Sequence, residues 1–256
     1  MESDETLHSI LQDVAFMRIA GMCPIVVHGG GKAISRALEE EGIETEFIMG
    51  LRVTDATTRK VVERVIRSEV NIQVVTLLRS FGVMAEPLHG GTVFLSEIMS
   101  GTDPSTGKTI DWGFVGNPVF TDTGPAREMF ARGVIPVVYP LGRGIDGEIL
   151  NINADTAAAA FAKALSADKL AFVSDVPGLL ENANEPNSLI STLRASDAPA
   201  LMSRGIVGGG MLPKIQSCLD ALEAGVRKVH LVDGRMPHSL LLEIFTNNGV
   251  GTEITK

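Results

Sequence analysis

The chain has 256 residues, enough for one large domain or two small ones, and 22 Lys and Arg against 31 Asp and Glu leave a formal charge of −9. That balance excludes a broad basic face for a phosphate backbone, so no nucleic-acid partner is expected, but a small phosphorylated ligand needs only local donors. At 45% hydrophobic and 21% charged residues the chain is globular rather than disordered.

The first ten residues are acidic and lack the basic and apolar regions of a signal peptide. No apolar run reaches ~18 residues without a charge, so no membrane partner is expected. Cys23 and Cys218 are too few for a disulfide framework or a zinc cluster. Among apolar neighbours they read as buried free thiols of a reduced, cytoplasmic compartment.

Leu7, Ile10, Leu11, Val14 and Met17 recur at helical spacing behind Ser3, Asp4 and Glu5, which suit a helix start. Residues 24–27 read as a buried strand, and Lys32 to Glu41 as a helix stopped by Gly42. A long helix is predicted over 55–80, with Val61, Val65, Ile72 and Val75 on one stripe. The stretch 83–122 alternates short β-like runs with turn signals and reads as hairpins decorating a sheet. A short helix over 125–132, a buried strand over 135–139, an Ala-rich helix over 155–165 and a strand over 170–173 come next. Residues 181–199 read as irregular; then come a helix carrying Ile215, Cys218, Leu219 and Leu222, a strand over 229–232 and a last helix over 238–246. This alternation predicts an α/β protein with a mostly parallel sheet, in one domain of two lobes with the softest boundary near Ser166.

Four segments carry candidate chemistry. In 26–32, VVHGGGK, a strand runs into three glycines that open a helix, either an anion cradle or simply a tight strand-to-helix turn. In 208–214, GGGMLPK, Lys214 falls in a helix first turn where the dipole disfavours a cation. It is either waiting for an anion or a solvated surface lysine. In 150–155, LNINAD, one of Asn153 and Asp155 is expected to cap the following helix, leaving more polar groups than a cap uses. Residues 174–178, SDVPG, lie at the carboxyl end of a buried strand, where open α/β sheets bind ligands, although alone they are only a turn. The segment 101–109, GTDPSTGKT, looks like a P-loop, but five residues separate its glycines instead of four, and it reads as a hairpin loop.

Taken in order, VVHGGGK, MGLRVTD, LNINAD, VSDVPGLL, GGGMLPK, HLVDGR and HSLLLEIFTNNGVGT closely resemble the acetylglutamate-phosphorylating branch of the amino acid kinase family, over essentially the whole chain. The resemblance implies a three-layer αβα sandwich around a mainly parallel open sheet, as one domain over 1–256 with an acyl-substrate and dimerisation lobe, 1–166, and a nucleotide lobe, 167–256. It implies ATP-dependent phosphorylation of the side-chain carboxylate of N-acetyl-L-glutamate, with Mg²⁺ accompanying ATP, as the second step of arginine biosynthesis. By position, Gly30, Gly31, Arg52 and Asn151 would hold the acyl substrate and the transferring phosphoryl group. Asp155 would orient the transfer site and Lys214 would stabilise the transition state. Asp175, Val176, Pro177, Gly178, Leu179, Leu180, Ile206, Val207 and Gly208 would line the ATP site.

His230, Glu243 and Gly249 match the arginine effector site of feedback-inhibited members. The plain alternative is that His230 ends a strand and Glu243 is a solvated helix residue. The resemblance implies a homodimer, and lacks here the helix that joins dimers into hexamers. It also lacks the family's opening IK-x-GG strand with its second lysine, so the 256 residues alone are expected to fold poorly and turn over little. Two other readings stay open: a binding protein for arginine and nucleotide without turnover, and a sister kinase for another acyl substrate.

Overall fold

The computed structural model describes residues 4–103, 106–182, 185–207, 211–246 and 249–256. In chain order they form α1 (Asp4–Ile19), β1 (Val26–Val27), α2 (Gly31–Glu40), β2 (Phe47–Ile48), β3 (Leu51–Arg52), α3 (Ala56–Val65), a π-helical turn (Ile66–Val70), α4 (Asn71–Ser80), β4 (Ala85–His89) and α5 (Gly90–Val93). Next come β5 (Phe94–Thr102), β6 (Thr109–Thr121), α6 (Gly124–Ala131), β7 (Ile135–Tyr139), β8 (Leu141–Arg143), β9 (Ile149–Ile152) and α7 (Ala154–Leu165). The chain ends with β10 (Lys169–Ser174), β11 (Thr192–Arg194), α8 (Ala198–Ser203), α9 (Met211–Glu223), β12 (Lys228–Asp233), α10 (Ser239–Phe245) and β13 (Thr252–Thr255).

Two compact units emerge. One comprises Ile25–Ser80 and Met84–Ala157; the other comprises Met1–Pro24, Phe81–Val83 and Ala158–Lys256. The division falls inside α7, eight residues or so before the boundary expected near Ser166, and α1 belongs with the C-terminal residues rather than with the lobe 1–166. The reason lies in α1 itself. Its Asp13 carboxylate, 1% exposed, accepts from His238 Nδ1 at 2.6 Å, and Ser9 Oγ accepts from the His238 backbone N–H at 3.0 Å, so the helix is clasped to the start of α10.

In the first unit, which carries the glycine-loop motif, β1, β7 and β4 form a parallel sheet in that order, with β1 at an edge. Every residue of β7 is buried, as expected of a parallel strand covered on both faces. Ile34, Ala37 and Leu38 of α2 and Val61, Val62 and Val65 of α3 pack with Tyr139 and Leu141 in one core. The long helix predicted over 55–80 is present, but the π turn inserts an extra residue and rotates α4 relative to α3. Ile72 is therefore 54% exposed instead of continuing the stripe, and Asn71 is turned inward, with no exposure. β5 and β6 form a long antiparallel hairpin that closes into a barrel with β9 and β8. The P-loop look-alike closes that hairpin: Asp103 N–H donates to Lys108 O and Gly107 N–H to Asp103 O.

In the other unit the sheet runs β10-β12-β13-β11, parallel except at the β12–β13 pair. Strand alternation sends Val229 and Leu231 into a core with Ile215, Cys218, Ala221 and Leu222 of α9. It sends His230 to the opposite face, toward α10. Strands β11 and β13 fall in segments too short and polar to read as strands from periodicity; β11 lies in the stretch expected to be irregular. Cys218 is buried as expected, but Cys23 is exposed, because the loop from α1 to β1 runs over the surface.

Candidate active site

The glycine loop is shaped by β1 and α2. Val27 ends an edge strand, and Gly30 is the N-cap of α2, without a side chain to satisfy the helix's first N–H groups. A Cβ on Gly30 would stand 3.1 Å from Ile66 Cγ1 of the π turn, whereas Gly31 faces open space. The loop is thus pressed against the helix on one side and open on the other, as an anion cradle requires.

Arg52, 7% exposed on β3, lies against this loop. Its Nη2 donates to Gly31 O at 3.1 Å and to Ser35 Oγ at 2.8 Å, and its guanidinium sits 4.6 Å from the Phe47 ring centroid. Its Nη1 is buried and has no partner. Burial pulls the Arg52 pKa downward, which an arriving anion would reverse. Asn151 on β9 donates to Thr54 Oγ1 at 3.2 Å, and Thr54 Oγ1 donates to Arg52 O at 2.9 Å, so Asn151 and Arg52 belong to one hydrogen-bonded strip.

The LNINAD segment resolves cleanly. Asn153 is the cap: its Oδ1 accepts from the N–H of Asp155 at 2.9 Å and of Thr156 at 3.1 Å. Asp155 is left in the first turn of α7. That turn abuts the glycine loop, since a Cβ on Gly29 would stand 3.7 Å from Ala154 Cβ. Gly30, Gly31, Arg52, Asn151 and Asp155 therefore gather within one unit.

The residues expected at the nucleotide lie in the other unit. Asp175 is exposed just beyond β10, and Val176, Pro177 and Leu180 are half-buried. Gly178 has φ +122, and a Cβ there would meet Thr252 Oγ1 at 2.7 Å, which makes glycine the residue the turn needs. Leu179 N–H donates to Thr252 Oγ1 at 2.9 Å. Leu179 and Val207 are core residues, each 2% exposed, so only their backbones are available to a ligand; Ile206 packs at the margin of that core. Gly208 lies outside the described residues. Lys214, half-buried in the first turn of α9, holds its Nζ 5.1 Å from the Phe172 ring centroid, so it is not the freely solvated lysine of the plain reading. Ser174, the first residue of the SDVPG segment singled out in the sequence but given no role there, has its Oγ buried and unpartnered at the end of β10.

His230 and Glu243 meet. His230 Nδ1 donates to Glu243 Oε1 at 2.7 Å, and Glu243 Oε2 accepts from the N–H of Val250 and Gly251 at 2.8 and 2.9 Å. Burial pushes the Glu243 carboxyl up, but the His230 bond and the two backbone donors outweigh it and hold the group at about 2. Gly249 has φ +60 with Glu243 Oε2 where a Cβ would sit. The plain alternative fails on both counts: His230 is inside β12 rather than at its end, and Glu243 is 5% exposed. Among the described residues no three His, Cys, Asp or Glu side chains converge to hold a metal, and no helix is long and apolar enough to cross a membrane.

The amino acid kinase family matches residues 1–233. The chain belongs to the amino acid kinase family. Within that family it is 45% identical to the acetylglutamate kinase of Heliobacterium modesticaldum, covering 100% of this chain and 88% of that one. It is 44% identical to the acetylglutamate kinase of Symbiobacterium thermophilum, covering 97% and 85%. Among solved structures, the N-acetylglutamate synthase of Neisseria gonorrhoeae, complexed with coenzyme A and N-acetyl-glutamate, superposes with a TM-score of 0.84 at 27% identity, over 99% of this chain and 57% of that one. A Streptococcus mutans UA159 protein superposes with a TM-score of 0.78 at 30% identity, over 96% and 91%. Kinases of this family take ATP as phosphoryl donor.

Proposed function

We propose that this amino acid kinase transfers the γ-phosphoryl group of ATP to the side-chain carboxylate of N-acetyl-L-glutamate, giving N-acetylglutamyl 5-phosphate and ADP in arginine biosynthesis. The observation that carries the reading is the unpartnered, buried Arg52 Nη1 beside the glycine loop. A planar fork with one arm already anchored on Gly31 O and Ser35 Oγ presents the other arm to a carboxylate.

In the mechanism, a carboxylate oxygen of the substrate attacks the γ-phosphorus in line, and the bond to the bridging oxygen of ADP breaks. Arg52 clamps a carboxylate of the substrate and Asn151 holds its acetylamino end. The Gly30 and Gly31 N–H groups receive the transferring phosphoryl oxygens, and Asp155 orders that end of the loop. Asp175 to Leu180, Ile206, Val207 and Gly208 hold the nucleotide, mainly through backbone. Lys214 neutralises charge that grows in the transition state, since phosphoryl transfer is chiefly positioning plus charge stabilisation. Mg²⁺ would accompany ATP, held largely by phosphates and water. When bound, it supplies further charge neutralisation on the phosphates.

L-Arginine as feedback effector at His230, Glu243 and Gly249, and a homodimer, complete the proposal. The N-acetylglutamate synthase complexed with L-arginine, at a TM-score of 0.81 and 26% identity, is the relative that supports the first. The test is ADP release together with hydroxylamine trapping of the acyl phosphate, using acetylglutamate, glutamate and aspartate. A preference of tenfold or more for acetylglutamate supports the reading; equal rates point to a sister kinase, and none to a binding protein.

A further inference from the structure

One buried hydrogen-bonded chain ends on the glycine loop, beyond the residues that the mechanism uses. Asn71 is the first residue after the π turn, with no exposure, and its Nδ2 donates to Val137 O at 3.0 Å and to His28 Nε2 at 2.9 Å. The backbone carbonyl of Val137 can only accept, so the amide must present its nitrogen there, and the same nitrogen then faces His28. Nε2 of His28 is thereby made an acceptor. The single ring proton must sit on Nδ1, which donates to Gly29 O at 2.9 Å. His28 is 6% exposed, and burial lowers its pKa, which agrees with a neutral ring.

The consequence is stereochemical. In a trans peptide the carbonyl and the following N–H point in opposite directions. Holding Gly29 O toward the His28 ring turns Gly30 N–H away from it. Gly31 O is held separately by Arg52. Glycine loops have no side chains to fix their peptide planes, so without such ties the two N–H groups would sample many directions.

We propose that Asn71 and His28 are positioning residues: Val137 O sets the Asn71 amide, Asn71 sets the His28 tautomer, and His28 fixes the Gly29–Gly30 peptide so that Gly30 N–H faces the phosphoryl group. The π turn is what makes this possible, because a regular helix would bring Ile72 inward in place of Asn71. This rests on the kinase reading for the role of the loop, but the tautomer does not depend on it.

Two measurements test it on the full chain. Long-range ¹H–¹⁵N spectra of the imidazoles, with His28 assigned by its loss in His28→Phe, should show the Nδ1–H tautomer. In Asn71→Asp, where an acceptor faces Nε2, the proton should move to Nε2 or the ring should become cationic. An Nε2–H tautomer in the unmodified chain overturns the proposal, whether or not the chain proves to be a kinase.

Kinetically, His28→Phe keeps the ring volume without the donor, and kcat should fall by ~10²-fold with the KM for acetylglutamate within about threefold. His28→Asn, which keeps an N–H for Gly29 O, should recover most of that loss. Equal kcat losses in both variants, or an unchanged kcat in His28→Phe, refute the positioning role. If the unmodified chain turns over no acyl substrate, the spectra alone decide the relay.

Discussion

His230 Nδ1 and Glu243 Oε1 stand 2.7 Å apart, on β12 and α10, with both side chains almost fully buried. A buried carboxylate that accepts from one imidazole and two backbone N–H groups stays ionised to about pH 2, against 4.5 for the free group. Its depressed pKa stabilises the fold fully above 4.5, and that contribution is lost as pH falls toward 2. At ~1.36 kcal/mol per pH unit it amounts to ~3 kcal/mol. Glu243→Gln should therefore lower urea stability by roughly 2–3 kcal/mol at pH 7, with a gap that narrows as the pH approaches 3. A gap that is constant from pH 7 to 3 sinks this account.

Arg52→Lys should raise the KM for acetylglutamate at least tenfold and leave kcat within a few-fold, because a point charge cannot bind Gly31 O, Ser35 Oγ and a carboxylate together. Steady-state kinetics with ATP saturating decide it, and an unchanged KM removes Arg52 from the substrate site.

For Lys214→Ala the expected effect is on kcat, down by ~10²–10³-fold, as for loss of one preorganised donor to transition-state charge. A loss confined to ATP affinity would instead make Lys214 a ground-state binder.

Asn153 and Asp155 separate by function. Asn153→Ala removes the cap of α7 and should cost ~1 kcal/mol in urea unfolding. Asp155→Asn leaves the cap intact and should depress turnover with smaller loss of stability. Turnover unaffected by Asp155→Asn while Asn153→Ala abolishes it would reverse the assignment.

The glycine loop, the capping of α7 and the strand–helix alternation were readable because each depends on neighbours in sequence: glycines at a strand end, Asn153 two residues before its acceptor's donor, apolar residues at fixed period. The π turn was not readable, since its extra residue changes the phase without changing composition, and Ile72 and Asn71 exchanged places as a result. Strands β11 and β13 owe their existence to pairing with each other and with β12 rather than to their own three- and four-residue patterns.

By itself, the sequence determined which residue types arrive at each loop and that the chain is an α/β kinase of this family, because local propensity and ordered motifs are properties of the chain. Only the tertiary structure decided how those residues are used. It left Arg52 Nη1 without a partner, buried Glu243 against His230, clasped α1 to α10 through Asp13, and placed Asn71 against His28. Each of these joins residues from separate elements, and hydrogen-bond distance and desolvation exist only once those elements have packed.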